Sequence, residues 1–281
     1  MRIDLHTHST ASDGTRSPAE VMGDAALAAL DVVALTDHDT TAGWEQAAEA
    51  ARRLGVVLVP GAEVSCGSAG ISVHVLSYLH DPAAPGLLAE MSRARESRER
   101  RAERMVEHLA QDYDLTWADV LEQVRDGATI GRPHLADALV AKGYFLSRDE
   151  VFATVLHDRS RYYVPHYAPD VCTAVRLIRE AGGVPVFAHP LAGRRGRTVG
   201  EDVLEAMVDA GLAGLEVDHR DHDPDDRRRL RDLARAHGLF VTGASDYHGN
   251  GKPNVLGENV TSAEIFEALL AQGTGTAPVR P

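Results

Sequence analysis

The residues best able to do chemistry in this chain are histidines and acids set close together. There are 14 histidines among 281 residues, and they recur as His6-Thr7-His8, Asp37-His38-Asp39 and Asp246-Tyr247-His248. Side chains on a strand alternate with period two, so an HxH at a strand end turns both imidazoles to one face, where both can ligate one cation. Each pair alone is equally compatible with polar loop histidines. Five strand ends that each carry a histidine or a carboxylate do not fit capping or solvation, because buried charge is costly unless it is paired or holds a metal. The chemistry expected of the set is divalent-cation binding. Mixed imidazole and carboxylate ligation suits manganese, iron(II) or zinc and does not choose among them.

The elements that must bring these residues together alternate between strand and helix. Residues 2–5 read as a short strand ending at His6, and Ser17-Pro18-Ala19-Glu20 is a capping box with proline in the first turn. Strands follow at 32–36, ending at Asp37, at 56–62, ending at Glu63, and at 71–78, with His74 inside; a helix at 41–54 is stopped by Gly55. From about residue 85 to 165 strand signal gives way to helix, including a long charged run at 87–111. The alternation then resumes, with strands at 184–188, 212–217 and 240–244 that end at His189, near His219, and at Asp246 and His248. Helices are expected at 171–181, 201–210, 224–237 and 262–272, and a loose tail from 273. Repeated βα units imply an α/β fold with a parallel sheet, and about seven strands imply a closed or nearly closed barrel. Residues 1–84 and 166–281 would form the barrel and 85–165 a helical insertion. His6, His8, Asp37, His38, Glu63, His189, Asp246 and His248 fall at or just past strand C-termini, the face where barrel active sites are built.

Asp4-Leu5-His6-Thr7-His8-Ser9, Thr36-Asp37-His38-Asp39, Glu63, His74, Ala188-His189-Pro190 and Ser245-Asp246-Tyr247-His248 together resemble the motifs of the PHP (polymerase and histidinol phosphatase) superfamily. The resemblance covers almost the whole chain and implies a distorted seven-stranded (β/α) barrel. It puts nine family ligands on His6, His8, Asp13, His38, Glu63, His74, His189, Asp246 and His248, with none missing. It implies two to three divalent ions: one on His6, His8, Glu63 and Asp246, a second on Glu63, His74 and His189, a third on Asp13, His38 and His248. Such ions lower the pKa of bound water, so that a bridging hydroxide attacks phosphorus in line with the leaving oxygen. Asp13, His189 and Asp246 are the catalytic candidates, and His189 or another histidine at the mouth is the candidate to protonate the leaving group.

Gly131-Arg132-Pro133-His134-Leu135-Ala136 opens a helix and resembles a signature of the TrpH-like branch, which includes nucleotide and oligonucleotide 5′-phosphatases. The resemblance implies that Arg132 and His134 reach over the barrel mouth to a substrate phosphate, with His219 as a further phosphate contact. A guanidinium suits bidentate phosphate contact and a helix N-terminus favours anions; the plainer alternative is a helix cap with Arg132 in solvent. Where that branch often has an aromatic before the histidine, this chain has Asp218. Glu216, His219 and His222 are expected to line the pocket. Arg93, Arg95, Arg98, Arg100, Arg101 and Arg104 alternate with Glu96, Glu99 and Glu103 and read as a solvated helix face. Tyr162 and Tyr163 suit either base stacking or core. His80, His108, His157, His166 and His237 read as ordinary histidines with no part in the chemistry.

Composition narrows the partners. The net charge of −13 argues against a broad basic grip on duplex nucleic acid. No apolar run reaches the roughly 20 residues that span a bilayer. The start resembles neither a signal nor a transit peptide, so a cytoplasmic address and no membrane partner are expected. Cys66 and Cys172 lack CxxC spacing, which excludes a cysteine zinc site and a disulfide framework. The expected substrate is a phosphate monoester: a nucleoside monophosphate, a 3′,5′-bisphosphonucleotide, or the 5′ end of a short oligonucleotide. Histidinol phosphate is the runner-up, since that branch resembles the barrel but lacks the insert. A deaminase-like amidohydrolase also begins with HxH on a barrel strand, but many bridge their metals with a carboxylated lysine. The lysines here are Lys142 and Lys252 alone, neither in a barrel strand, and Glu63 can supply the bridge. A PHP domain without turnover would usually have lost ligands.

Overall fold

The structure is a computed structural model that describes residues 1–125, 128–193 and 196–281. Seven strands form one sheet in chain order: β1 (Ile3–Asp4), β2 (Val32–Leu35), β3 (Val57–Ser68), β4 (Ile71–Tyr78), β5 (Val184–Phe187), β6 (Gly214–Asp218) and β7 (Phe240–Gly243). Thr7 bridges Tyr247 in parallel, and the His8 N–H donates to the Tyr247 carbonyl at 2.8 Å, so the last strand returns to the first and the barrel nearly closes. The helices are α1 (Pro18–Leu27), α2 (Trp44–Leu54), α3 (Pro85–Leu109), α4 (Trp117–Leu121), α5 (Arg132–Ala141), α6 (Arg148–Thr154), α7 (Val171–Glu180), α8 (Glu201–Asp209), α9 (Pro224–His237) and α10 (Ala263–Gln272). Local chemistry sets several boundaries. The Ser17 N–H donates to Glu20 Oε2 at 2.7 Å while the Glu20 N–H donates back to Ser17 Oγ, so α1 starts at its capping box. Gly55 ends α2 at φ 74°, a conformation a side chain disfavours.

Two expectations are corrected. The sheet is not all parallel, because β4 runs antiparallel to both β3 and β5. Ala69 and Gly70 have φ of 48° and 74°, the pair of positive values found in two-residue hairpin turns that match strand twist. A hairpin needs no crossover helix, so β3 continues past Glu63 to Ser68 and returns directly as β4. The tail is not loose either. Val279 exchanges both backbone hydrogen bonds with Leu58 at 2.8 and 3.0 Å, and the Thr276 N–H donates to the Leu79 carbonyl at 2.8 Å. The tail thus satisfies strand-end groups at the barrel end opposite the mouth.

Alternation along β3 separates core from site. Ala62, Val64 and Cys66 pack into an apolar cluster with Val175, Ile178 and Leu215, while Glu63 and Ser65 turn to the other face. The long α3 joins two cores: Leu87 and Met91 belong to this barrel cluster, whereas Met105 and Leu109 pack with Leu135, Leu139, Val151 and Leu156 of the helical region. The expected solvated face of α3 holds for Arg93, Arg100 and Arg104 and fails for Arg98 and Arg101, which are 8% and 5% exposed. Ala94, Arg98, Arg101 and Met105 share one face at helical spacing, and that is the face turned inward. No described helix is long and apolar enough to cross a membrane.

Candidate active site

Each strand end delivers its polar residues to one place. His6 and His8 follow β1 with Thr7 between them bridged to Tyr247 beyond β7, so both imidazoles turn inward and their Nε2 atoms stand 3.0 Å apart. The loop beyond them is pinned by the buried Asp37, whose carboxylate accepts from the Ser9 N–H (2.8 Å), the Ser9 hydroxyl (2.6 Å) and the Ser12 hydroxyl (2.6 Å). Gly14 closes that loop so tightly that a Cβ there would lie 2.5 Å from the His8 carbonyl oxygen. Asp13 on this loop approaches His248 Nε2 at 3.2 Å, His8 Nδ1 at 3.6 Å and His38 Nε2 at 3.7 Å.

Glu63 is the hub. Its Oε2 lies 3.2 Å from His6, 3.1 Å from His8 and 3.3 Å from His38, and its Oε1 lies 2.7 Å from His74 and 3.0 Å from His189. Asp246 Oδ1 is 3.4 Å from both His6 and His8. Its Oδ2 accepts from Lys252 Nζ at 2.9 Å and is 3.7 Å from His219 Nε2. Glu216 on β6 accepts from His6 Nδ1 at 2.9 Å and from the His189 N–H at 2.8 Å. That contact fixes the Nδ1 proton and turns Nε2 toward the cluster, where its proton must leave for the nitrogen to ligate a cation. His189 and Asp246 hold φ of 33° and 53°, strained values of the kind that persist where surrounding contacts over-determine them.

Among the described residues, three groups each have their ligand atoms within 4.8 Å of one another: His6, His8, Glu63 and Asp246; His8, Asp13, His38 and His248; His38, Glu63 and His74. The first is the set expected from sequence. In the second His8 joins the expected trio, and in the third His38 takes the place expected of His189, which reaches Glu63 Oε1 from outside the group. Spacings of roughly 3.0–3.4 Å are the ligand–ligand edges around a cation with bonds of about 2.1 Å. Among the described residues His38 Nδ1 and His248 Nε2 are buried and make no hydrogen bond, although carboxylate oxygens stand 3.3 and 3.2 Å away. Buried ring nitrogens that make no hydrogen bond beside carboxylate oxygens fit a metal.

Electrostatics agrees with this donor set. Burial pulls the His6 imidazolium down, yet Glu216, Glu63 and Asp246 outweigh it and hold His6 well above its ordinary value. His8 is held up to about 9, against burial, by Asp246 and Glu63. Burial raises Glu63 and Asp13, but the facing histidines bring both well below the carboxylate range. At His38 burial wins and lowers it well below its ordinary value; at His248 burial, with Lys252 and His8 adding to it, gives about 4. The acids are therefore ionised and His38 and His248 unprotonated, as metal ligands must be.

The helical region leans on this cluster at several points. Thr129 donates through its hydroxyl to the His38 carbonyl at 2.9 Å, and Arg148 Nη1 donates to the Asp13 carbonyl at 3.1 Å. Arg98 Nε lies 3.2 Å from Asp39 Oδ2 and its guanidinium also bonds Ser65 Oγ. Of the expected phosphate contacts, His134 is buried with Nδ1 accepting from the Gly131 N–H at 3.1 Å. Arg132 is partly buried; it donates to the Leu156 carbonyl at 2.9 Å and lies over the Phe152 and Tyr163 rings. His219 sits beside Asp246 rather than among the arginines. Tyr162 is core. Sequence reasoning missed Lys252, Arg98, Arg101 and Arg148; a lone lysine after His248 and arginines in a mixed-charge helix carry no distinguishing pattern.

A nearly closed α/β barrel that gathers ionised acids and imidazoles at its mouth defines a metal-dependent hydrolase. A PHP domain profile matches residues 4–121. The chain is 37% identical over 257 residues to the 3′,5′-nucleoside bisphosphate phosphatase of Chromobacterium violaceum, covering 89% of this chain and 88% of that one. It is 36% identical over 258 residues to the phosphoribosyl 1,2-cyclic phosphate 1,2-diphosphodiesterase of Eggerthella lenta, covering 89% and 95%. It is 32% identical over 250 residues to a 5′-3′ exoribonuclease of Haemophilus influenzae, covering 88% and 90%. A solved structure from Bifidobacterium adolescentis, described as a metal-dependent phosphoesterase, superposes with a TM-score of 0.95 at 43% identity, covering 97% of this chain and 96% of that one. The chain belongs to the PHP family of metal-dependent phosphoesterases.

Proposed function

We propose that this phosphoesterase hydrolyses a phosphate monoester of a nucleotide: a nucleoside monophosphate, a 3′,5′-bisphosphonucleotide, or the 5′ end of a short oligonucleotide. The observation that carries the reading is Glu63, whose two oxygens lie within 3.3 Å of imidazole nitrogens of His6, His8, His38, His74 and His189. In this reading His6, His8, Asp13, His38, Glu63, His74, Asp246 and His248 hold two to three divalent ions (manganese, iron(II) or zinc), and His189, which the resemblance also counts as a ligand, is left to the proton. Bound there, the ions supply an acidified water and neutralise charge on the phosphoryl oxygens.

The chain's own groups divide the remaining work. Asp13 and Asp246, fixed by His248 and Lys252, orient the attacking water. His189 stands outside the mutually close groups and is partly exposed, and we assign it the proton for the leaving oxygen. Arg132, His134 and His219 contact substrate phosphate. Residues 85–165 act as a unit that covers the mouth and keeps duplex nucleic acid out. A cytoplasmic setting belongs to the same reading, supported by two unpaired cysteines, Cys66 and Cys172.

The test is a phosphate-release screen on manganese-loaded protein against mononucleotides, bisphosphonucleotides, short 5′-phosphorylated oligonucleotides and histidinol phosphate. The highest kcat/KM is expected on a nucleotide monoester, and a clear preference for histidinol phosphate would sink the proposal. A second reading, phosphodiester hydrolysis, is favoured by the names of the Eggerthella and Haemophilus relatives. Release of nucleotides rather than inorganic phosphate from an oligonucleotide would select it.

A further inference from the structure

Two residues of the helical region hold backbone that carries metal ligands. Thr129 is buried in the segment that leads into α5. Its N–H donates to the Ala11 carbonyl at 3.0 Å and its hydroxyl to the His38 carbonyl at 2.9 Å, so one residue ties the loop of Asp13 to the strand end of His38. Arg148, the first residue of α6, places Nε and Nη2 on the two oxygens of Asp137 from α5. That fork fixes the plane of the guanidinium and leaves Nη1 to donate to the Asp13 carbonyl at 3.1 Å. The same guanidinium packs on Gly251, where a Cβ would stand 3.0 Å from Arg148 Cζ and closer still to Nη1. Gly251 closes the short turn that follows His248, and its N–H donates to the His248 carbonyl at 3.2 Å.

These contacts are unevenly shared between the ligand groups. They fall on Asp13, on His38 and on the turn after His248, three of the four members of the group that His8 completes. The group of His6, His8, Glu63 and Asp246 is anchored by the barrel. Glu63 lies within β3, its N–H donating to the Thr36 and Asp37 carbonyls at 3.0 and 3.2 Å. Asp4 of β1 accepts from the N–H groups of His6 and of Ser245, the residue before Asp246, at 3.4 and 3.0 Å. On that side α3 reaches Asp39 and Ser65, neither of them a ligand. Asp13 by contrast stands on a loop beyond β1, and a donor presented by a loop is only as well placed as the groups that hold the loop.

We infer that Arg148 and Thr129 are positioning residues through which the helical region governs one ion position, the group of His8, Asp13, His38 and His248. This rests on the metal reading of the proposed function and divides the centre in two. The ion on Glu63 and Asp246 is held by the barrel, whereas the ion on Asp13 and His248 is held fully only with α5 and α6 seated. The coupling is reciprocal, so that second ion in turn holds α5 and α6 against the barrel.

The experiment titrates full-length, metal-free protein with manganese by calorimetry. Asp13→Asn and Asp246→Asn assign the binding steps, since each acid belongs to one group. Arg148→Gln is expected to weaken the Asp13 step roughly 10- to 100-fold and the Asp246 step by less than about twofold. Thr129→Val, which removes only the hydroxyl, weakens the same step by a smaller factor. Arg148→Lys keeps the charge without the fork and falls between wild type and glutamine, and it carries the test if the glutamine variant does not fold. Leu139→Ala opens the apolar core of the helical region without touching a ligand loop and leaves both steps in place. Amide exchange reads the coupling from the other side: manganese slows exchange at the Thr129 N–H in wild type and much less in Arg148→Gln. No weakening in Arg148→Gln, equal weakening of both steps, or the same selective loss in Leu139→Ala overturns the positioning role. So does a wild type whose titration Asp13→Asn leaves unchanged. A wild type that takes up no manganese at all overturns the metal reading instead.

Discussion

Two clusters of charge joined at Asp39 are built on opposite plans. The barrel cluster sets Asp13, Glu63 and Asp246 against seven imidazoles, and each of these acids approaches at least two of them. The helical cluster sets Arg98, Arg101 and Arg132 near one another, and among the described residues only Arg98 meets a carboxylate, that of Asp39. The first can balance itself by moving protons, because imidazoles titrate near neutrality; the second cannot, because guanidinium keeps its proton. A cation that replaces protons suits the one, whereas the other keeps its positive charge near neutrality. Asp39 joins them, accepting from the Ser65 N–H at 2.7 Å next to the Glu63 strand while holding Arg98 from α3.

The comparison breaks most visibly at Glu63. Glu63→Gln keeps the shape and removes the shared charge, and it is expected to lose bound metal and lower turnover by roughly 10⁴-fold or more. Full metal content by mass spectrometry together with full turnover would end the cluster account. Asp39→Ala attacks the junction. Leaving Arg98 buried without its acid should destabilise by roughly 3–5 kcal/mol in urea titrations, and a change under about 1 kcal/mol would mean that Arg98 is not held by charge.

His80, at the barrel end opposite the mouth, tests the same rule without any facing acid cluster. It is buried, bonds Ser77 Oγ through Nδ1 at 2.8 Å, and burial lowers it from 6.5 to about 4. Its folded-state value is depressed, so the unfolded chain binds the extra proton between those values. Stability due to neutral His80 is complete above pH 6.5 and is lost as pH falls toward 4, up to about 3 kcal/mol. His80→Gln should flatten that part of the acid limb relative to wild type; identical limbs would refute the assignment.

Smaller effects sharpen the picture. The Asp37 carboxylate bonds Ser9 and Ser12 rather than a ligand side chain, and through them it fixes the loop carrying Asp13, so Asp37→Ala should weaken manganese binding roughly 10- to 100-fold by calorimetry. Undiminished affinity would show that the loop holds itself. On the outer face of α3, the Arg100 side chain is 77% exposed and pairs with Glu96 at 3.5 Å; Arg100→Ala should stay within about 0.5 kcal/mol. A larger loss there would blur the distinction between the two faces of this helix.

Much of the barrel was legible in the sequence. Every strand was marked by an apolar run, and capping residues such as Ser17 and Gly55 placed helix ends where the structure has them. The antiparallel β4 was not legible, because Ala69-Gly70 is a weak hairpin signal and a twelve-residue β3 looks like a strand followed by a loop. The ordered tail was missed because its hydrogen bonds go to Leu58, Leu79 and Gly182, far away in sequence. That His38 joins Glu63 and His74 in one close group while His189 falls outside it also waited for coordinates.

The sequence by itself determined that His6, His8, Glu63, His189, Asp246 and His248 would meet. Period-two alternation turns them inward and parallel βα connections carry their strand ends to one face, so local pattern and connectivity suffice. Only the tertiary structure decided that Arg98 and Arg101 are buried while Arg100 and Arg104 are not. In a helix where arginine and glutamate mix on every side, no residue type marks the inner stripe. Which face is inner depends on what the helix lies against, and here that is the mouth of the barrel.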